Sequence, residues 1–327
     1  MKYLTMKGLI FAEGNGYGHV SRDKGISDRF DIPIMTFGKG AEYLKMREAD
    51  FIEIPSPYNI ETANGKTKVI ANVAQLLKYL SPSVTIKILQ KFKMVDFVIV
   101  DGSPAGLILA KLAGKKSVLI TNDTSSLVGF TGIQKRMAGQ LNNILLGYPE
   151  RILVPDYPPP LTVAKYNLLK QNNIDMIGPL IEKAKQVRHN KEVLVITTDT
   201  EITDKIRAGL GDSALYSSDI GDVKPYYESS KVVITHGGHT TITEALSYGK
   251  PVIAVTDYSY PERRNHIQFI EEANVGFGVE RQLFKEEYLE TMIRSARLLD
   301  RNKLKLYKRT ARKAHPENEI EQVIAKL

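Results

Sequence analysis

The stretch 232–278 constrains the fold of this chain more than any other part of its sequence. It begins with a short apolar run, 232–234, whose length and β-branched residues are typical of a buried strand. The glycine pair in 236–238 predicts a tight turn. The Ser/Thr-x-x-Glu spacing that follows predicts a capping box and a helix over 241–248. The sequence therefore predicts a strand, a glycine turn and a helix N-terminus.

Such a unit can bind an anion. The first N–H groups of a helix have no intrahelical partner, and the helix dipole adds partial positive charge. Gly237 and Gly238 let the backbone approach a ligand closely, and Thr240 and Thr241 add hydroxyl donors. A phosphate or diphosphate fits this description. Glu244 would lie roughly 5 Å further along the helix axis, where it could hold a ribose diol or serve as the capping-box acid, and the spacing does not separate these roles.

The same stretch resembles a known signature. A second strand is predicted at 251–255, then a loop over 256–265 and a helix over 266–273. In this order, the run from His236 to Glu244, the strand and Asn265 resemble the donor-nucleotide half of two-domain (GT-B) glycosyltransferases. The similarity is to the UDP-glucuronosyl/glucosyltransferase type and to the N-acetylglucosaminyltransferase of peptidoglycan assembly.

The length and the resemblance together predict the domain organisation. A chain of 327 residues exceeds what one core usually fills. The resemblance implies an α/β fold with two doubly wound Rossmann-like domains that face each other across a cleft. We expect an acceptor-side domain at 1–183, a nucleotide-sugar-binding domain at 184–310, and a helix at 311–327 that packs back on the first domain.

Composition excludes several classes of site. The chain has no cysteine, which excludes disulfides, thiolate metal sites and a cysteine nucleophile. It shows no cleavable signal, and no run approaches the roughly 18 apolar residues of a membrane span. We therefore expect a cytoplasmic protein.

The net charge of +8 permits an anionic partner. Basic residues are concentrated in 294–313, which predicts a solvated helix face; a surface for acidic lipid headgroups at the inner membrane is the alternative. Aromatic residues are not interleaved with them in the way that stacks single-stranded nucleic acid, so we expect no nucleic-acid partner.

A glycine-rich segment, 13–20, follows the first predicted strand. Its G-x-G-x-G spacing is one residue short of the dinucleotide fingerprint, and the second predicted strand ends without a ribose-binding acid, which argues against a nicotinamide cofactor. The segment resembles instead the N-terminal signature of the same glycosyltransferases. That resemblance places Gly16 and Gly18 in the donor site and makes His19 the residue that faces the cleft.

A histidine suits inverting sugar transfer. The reaction needs a base for the proton of the acceptor hydroxyl, and imidazole groups titrate near the pH of the cell. In the relatives, an aspartate at the end of a later strand orients this histidine, and the resemblance assigns that role to Asp101. Asp123, after the next strand, is the competing candidate.

The resemblance also implies the remaining donor contacts. His236 and the residues of the glycine turn and helix start would stabilise the leaving diphosphate, and Ile220 would line the nucleobase site. Glu262 and Asn265 would contact the sugar, although Pro261 stands where relatives often have an acidic residue. No D-x-D occurs in the chain, so we expect neither a metal ion nor another cofactor.

The predicted activity is inverting transfer of a sugar from a nucleoside diphosphate sugar, a UDP-sugar in our interpretation, to a hydroxyl acceptor. The acceptor class stays open, with a lipid-linked acceptor as one option. Two alternatives compete: a nucleotide-sugar 2-epimerase, which shares the architecture, and a binding protein that keeps the nucleotide site without catalysis.

Overall fold

A computed structural model describes residues 6–57, 81–124, 140, 142–169, 173–182, 184–220 and 222–327. The polar loop expected at 58–68 and the helical apolar pattern expected over 69–80 lie outside these residues.

The chain divides into two compact units. The first comprises Met1–Pro155, Leu168–Met176 and Pro316–Leu327, and the second comprises Asp156–Asn167 and Ile177–His315. The chain thus enters the second unit at Asp156, well before the predicted boundary at 183/184. The reason is contact with distant residues of this unit, because Asp156 Oδ2 lies 2.9 Å from His239 Nε2 and the Tyr157 hydroxyl donates to the Thr243 carbonyl at 3.0 Å.

Strands and helices alternate in the first unit. Its elements are β1 (Gly8–Ala12), α1 (Tyr17–Phe30), β2 (Ile34–Thr36), α2 (Gly38–Met46), β3 (Phe51–Glu53), α3 (Pro82–Lys93), β4 (Phe97–Asp101), α4 (Pro104–Leu112), β5 (Lys116–Ile120), β6 (Arg151–Val154), β7 (Ile174–Met176) and the last helix of the chain, Pro316–Ile324.

All strand pairs of this sheet are parallel, in the order β3-β2-β1-β4-β5-β6-β7. The direction of winding reverses between β1 and β4, and parallel α/β sheets bind ligands beyond the carboxyl ends of their strands at such a point. Ala12 and Asp101 are register partners at those ends. The topology therefore places the candidate site of this unit beside Asp101.

The second unit follows the same plan. Its elements are β8 (Val193–Ile196), α5 (Thr200–Leu210), β9 (Ala214–Tyr216), α6 (Ser217–Ile220), β10 (Val232–Thr235), α7 (His239–Ser247), β11 (Val252–Thr256), α8 (Pro261–Glu272), β12 (Gly276–Glu280), α9 (Leu289–Arg297) and α10 (Arg301–Lys313), with short 3-10 turns between them.

Its five parallel strands are ordered β12-β11-β10-β8-β9, so winding reverses between β10 and β8. Alternating residues enter two cores. Leu194 and Val233 pack with Ile242 of α7 on one face, whereas Val195 and Ile234 pack on the other. Both faces are covered, as in a doubly wound α/β domain.

Both helices of the stretch 232–278 begin earlier than predicted, and the capping-box prediction is wrong. Gly238 is the N-cap of α7, so Thr241 lies inside the helix and cannot cap it. Pro261 starts α8, consistent with the preference of proline for the first helical turn, and Asn265 therefore lies on a helix instead of a loop. Gly249, with φ +68°, follows the end of α7, where the left-handed backbone conformation favours glycine.

Within the described residues, none of the helices combines the length and the hydrophobicity that crossing a bilayer requires.

The surroundings of two glycines, Gly106 on α4 and Gly25 on α1, predict opposite effects of replacement by alanine. A Cβ on Gly106 would lie 2.7 Å from Phe11 and 2.8 Å from Val100, whereas a Cβ on Gly25 of α1 meets nothing within 4 Å. Gly106→Ala should destabilise by about 1–3 kcal/mol through overpacking. Gly25→Ala should stabilise by about 0.5–1 kcal/mol through helix propensity. Urea denaturation followed by circular dichroism measures both, and shifts of the same sign would contradict the packing described.

Candidate functional site

Asp101 is the centre of the site in the first unit. It ends β4 and is fully buried. Arg22 of α1 donates from Nε to Asp101 Oδ2 at 2.6 Å and from Nη2 to Oδ1. Burial by itself would raise the pKa of Asp101, but the Arg22 guanidinium and His19 hold it well below its ordinary value. Asp101 is therefore ionised, and its buried charge is paired with the guanidinium of Arg22.

His19 lies in the first turn of α1, with its Nδ1 2.7 Å from Asp101 Oδ1. A carboxylate only accepts hydrogen bonds, so Nδ1 carries a hydrogen, and in the neutral ring the lone pair lies on Nε2. The imidazole packs on Gly102, where a Cβ would lie 2.2 Å from His19 Cε1 and where φ is +68°. The His19 side chain is 29% exposed, so a bound molecule that donates a proton can reach the imidazole.

Two further residues of α1 complete this network, and the sequence analysis missed both. Arg22 Nη2 also lies 3.0 Å from His19 Nδ1. Both groups donate to Asp101 Oδ1, so they converge on one oxygen and do not bond each other. Asp23 is fully buried, and burial together with the charge of Asp101 raises its pKa well above the ordinary value. Arg22 could have been found from the sequence, because residues three apart share one face of a helix.

The structure brings His19 to Asp101. Asp123, the competing candidate, is half-buried with its own amide bonded to Thr121 Oγ1 at 3.1 Å.

The glycine-rich segment is shorter than predicted, because α1 begins at Tyr17. Gly16 is its N-cap and Gly18 lies within its first turn. A Cβ on Gly16 would meet nothing within 4 Å, whereas a Cβ on Gly14 would lie 2.0 Å from the Phe37 carbonyl oxygen. The close approach of β1 to the start of α2 explains Gly14, and the segment need not be a ligand-binding loop to require it.

In the second unit, the glycine turn joins β10 to α7. Gly237 has φ +87°, which favours glycine, and Gly238 is extended at φ −69° and ψ 140°. The first intrahelical bond runs from the Ile242 amide to the Gly238 carbonyl at 3.1 Å. The amides of the preceding helical residues, including Thr240 and Thr241, therefore face outward at the helix tip.

The turn is supported from behind by residues that sequence reasoning did not single out. His266 Nδ1 donates to the Gly237 carbonyl at 3.3 Å, and its Nε2 accepts from Asn167 Nδ2 at 2.8 Å. His239 Nε2 lies 2.9 Å from Asp156 Oδ2. Burial lowers the pKa of His266 from 6.5 to about 4, so the ring is neutral at pH 7. These contacts fix the carbonyl of Gly237 and leave the amides beyond it to a ligand.

Glu244 lies one turn inside α7 and is 6% exposed. Its Oε2 accepts from the Tyr227 hydroxyl at 2.9 Å. Burial raises its pKa, and the charge of Lys224 opposes that shift. Its side chain therefore bonds Tyr227 and not the N-terminus of its own helix.

The remaining predicted donor residues lie around the same edge of the sheet. Glu262 is exposed in the first turn of α8, and Asn265 donates to Asn167 Oδ1 at 2.7 Å. Ile220 ends α6 and packs partly buried against the core that contains α7. His236 is half-buried, and a Cβ on Gly238 would lie 3.1 Å from its Nε2.

Arg263 brings a positive charge to the glycine turn. Its Cβ lies 3.6 Å from the position that a Cβ on Gly237 would take, and its Nη1 donates to Thr256 Oγ1 at 3.5 Å. Burial lowers the pKa of the Arg263 guanidinium, yet this group stays charged at neutral pH. Its neighbour Arg264 is exposed.

The lowered pKa of His266 predicts that the free energy of unfolding depends on pH. Its pKa is about 4 in the folded chain against 6.5 ordinarily, so the unfolded chain binds more protons between these values. Stability should therefore fall as pH drops from 6.5 towards 4, by roughly 3 kcal/mol from this group. His266→Asn should flatten this slope, whatever its effect at pH 7. Urea denaturation midpoints of wild type and variant, measured at several pH values, test this. An equal dependence of stability on pH in the two proteins would contradict it.

Comparison with known proteins identifies the class of enzyme. Residues 177–324 match the glycosyltransferase family 28 C-terminal domain. An uncharacterized glycosyltransferase of Methanosarcina acetivorans is 26% identical over 324 residues, covering 83% of each chain.

Solved structures agree in fold along the whole chain. Acinetobacter baumannii MurG superposes with a TM-score of 0.61 at 13% identity over 98% of this chain and 100% of its own. Arabidopsis thaliana UGT89C1 complexed with UDP-L-rhamnose gives 0.64 at 14% identity over 98% of each. These relatives are glycosyltransferases and give the epimerase alternative no support. The chain is therefore a glycosyltransferase whose residues 177–324 match the family 28 C-terminal domain, and its two Rossmann-like domains have the fold of GT-B enzymes.

Proposed function

We propose that the protein transfers a sugar with inversion from a UDP-sugar to a hydroxyl acceptor. The acceptor oxygen forms a bond to the anomeric carbon while the bond from that carbon to the phosphate oxygen breaks. The acceptor proton passes to His19 Nε2, and UDP leaves with the electron pair. Asp101 stabilises the imidazolium that forms, because its carboxylate faces Nδ1 at 2.7 Å.

The pairing of His19 with buried Asp101 is the observation that carries this proposal. The pair lies at the point where the winding of the first sheet reverses. In the neutral ring, the partly exposed imidazole presents Nε2 without a hydrogen, as a general base requires. Arg22 prevents Asp101 from taking up a proton itself, because its charge holds the pKa of that carboxyl down after burial has raised it.

We place the leaving diphosphate at the tip of α7. The amides after Gly238 and the hydroxyls of Thr240 and Thr241 would donate to it, together with His236. The support for a uridine nucleotide is that UGT89C1, which shares the fold, was solved with UDP-L-rhamnose. Without a D-x-D sequence, the helix tip and Arg263 would neutralise the diphosphate, and we propose a metal-independent reaction.

The other donor residues keep their predicted roles as part of this proposal. Glu244 would hold the ribose diol, with the Tyr227 hydroxyl fixing its carboxylate, and Ile220 would line the nucleobase site. Exposed Glu262 would contact the sugar. The side chain of Asn265 bonds Asn167, so its sugar contact requires that bond to open.

Two donor assignments lie in the first unit. Gly16 and Gly18, at the start of α1, would contact the donor through their backbone, since Gly16 has open space around its Cβ position. For the acceptor we propose a hydroxyl compound, with a lipid-linked alcohol as the first class to screen.

His19→Ala should reduce turnover by about 10²–10⁴-fold, the usual contribution of a general base, because the acceptor proton loses its receiver. UDP affinity should stay within twofold of wild type, since the side chains that we propose to contact UDP lie in the second unit and the variant keeps the backbone of Gly16 and Gly18. Transfer from a panel of UDP-sugars, read by mass spectrometry, and calorimetry with UDP measure the two quantities.

His189→Ala is the matched control, because its Nε2 contacts only the Tyr226 carbonyl and Ser230 among the described residues. It should keep wild-type turnover. Unchanged turnover in His19→Ala would remove this histidine from the mechanism and leave the donor site standing.

Arg263 and Arg264 offer a matched pair for the diphosphate. Arg263→Gln should weaken UDP binding by about tenfold, because a charge-assisted hydrogen bond near the glycine turn is lost. Arg264→Gln removes the same charge from an exposed neighbour and should change affinity by less than twofold. Calorimetric titration with UDP compares them; equal effects would show that only general charge matters.

A further inference from the structure

The second unit carries a pocket at the edge of its sheet opposite the glycine turn. It encloses about 540 Å³, within the range of ligand sites. Residues that precede β10 and β11, the C-terminal end of α7, the end of α9 and the first half of α10 line it. They are Ser230, Lys231, Tyr248, Gly249, Lys250, Pro251, Ala296, Arg297, Arg301, Leu304, Lys305 and Lys308. The length of α7 separates this pocket from the helix tip by roughly 13 Å.

Half of the lining residues are cationic, and none is acidic. Two carboxylates nearby neutralise part of this charge. Glu192 pairs with Lys231 and Arg297, and Glu228 pairs with Lys308. The pocket therefore retains excess positive charge.

Arg301 and Lys305 supply charge that nothing around them neutralises. They lie one turn apart on α10, both exposed, and neither forms an ion pair within the described residues. Two basic residues one turn apart lie on the same helix face, so both can bind one anionic group.

Buried residues form the base of the pocket. Leu304 and Pro251 are buried in it, and Gly249 adopts φ +68° against the Leu304 carbonyl, 3.4 Å from the position of its Cβ. Lys250 is half-buried and donates to the Glu228 carbonyl at 2.8 Å; burial lowers its pKa although Glu228 opposes this.

Arg297 contributes charge from the end of α9. Its Nη2 pairs with Glu192, and its side chain is 36% exposed, so the guanidinium borders the pocket.

We propose that this pocket is a second anion site, which binds the phosphate group of a molecule other than the sugar donor. The clustered guanidinium and ammonium groups match phosphate oxygens, and the volume admits a group larger than inorganic phosphate. The phosphate comes from a free phosphorylated compound or from the headgroup of an anionic lipid. The proposal does not depend on the position of the donor, because no residue of the proposed donor site lines this pocket.

Lysine acetylation read by mass spectrometry tests the site residue by residue, so that pyrophosphate bound elsewhere does not interfere. Pyrophosphate should slow acetylation of Lys250 and Lys308 and leave that of exposed Lys303 unchanged. The double variant Arg301→Gln/Lys305→Gln should need about tenfold more pyrophosphate for the same protection. Lys303→Gln/Arg309→Gln removes the same charge from exposed positions of α10 outside the pocket and should behave as wild type.

Cosedimentation with phosphatidylcholine vesicles, with and without phosphatidylglycerol, distinguishes the two sources. Binding to phosphatidylglycerol that Arg301→Gln/Lys305→Gln abolishes and the control pair retains identifies a lipid headgroup. Protection by pyrophosphate without vesicle binding identifies a free phosphorylated ligand. Acetylation rates that neither probe changes would overturn the proposal, as would equal losses in the two double variants.

Discussion

The proposed chemistry depends on one buried carboxylate. Asp101 sits at the end of a parallel strand with no exposure, where an isolated charge would cost several kcal/mol. Arg22, on the adjacent helix, stabilises this charge because its guanidinium donates to both carboxylate oxygens of Asp101. A paired carboxylate with an oxygen facing His19 Nδ1 then determines which ring nitrogen is free. The acid–base role that we propose for this unit thus follows from how the buried charge of Asp101 is paired with Arg22.

Both units use the same topological device for different chemistry. In each sheet, winding reverses next to the strand whose end carries the candidate site. In the first unit, that point holds an imidazole backed by a carboxylate. In the second, it holds a glycine turn and the start of α7, whose amides have no partner in the helix. One unit is thereby suited to moving a proton and the other to holding an anion.

Much of this could be predicted from the sequence. Apolar runs and the glycine turn predict the strands on both sides of each candidate site. The resemblance to glycosyltransferases pairs His19 with Asp101 and leaves Asp123 as the competing candidate. The helix starts were less predictable, because Thr241 and Glu244 have the spacing of a capping box whether or not the helix begins two residues earlier.

What escaped prediction are contacts between residues distant in the chain. Nothing local shows that Asp156 would bind His239, or that His266 would hold the Gly237 carbonyl. The assignment of 156–167 to the second unit rests on such contacts, so the boundary was predicted too late in the chain. The charged pocket of the second unit likewise forms only when α10 packs beside the residues before β10 and β11.

The central claim is that Asp101 fixes His19 with its hydrogen on Nδ1 and a lone pair on Nε2. Nitrogen-15 NMR of the imidazole rings, with His19 assigned by His19→Gln among the six histidines of the chain, measures this tautomer directly. The account predicts a protonated Nδ1 and an unprotonated Nε2 in neutral His19, with the preference lost in Asp101→Asn. A neutral His19 that carries its hydrogen on Nε2 would contradict it.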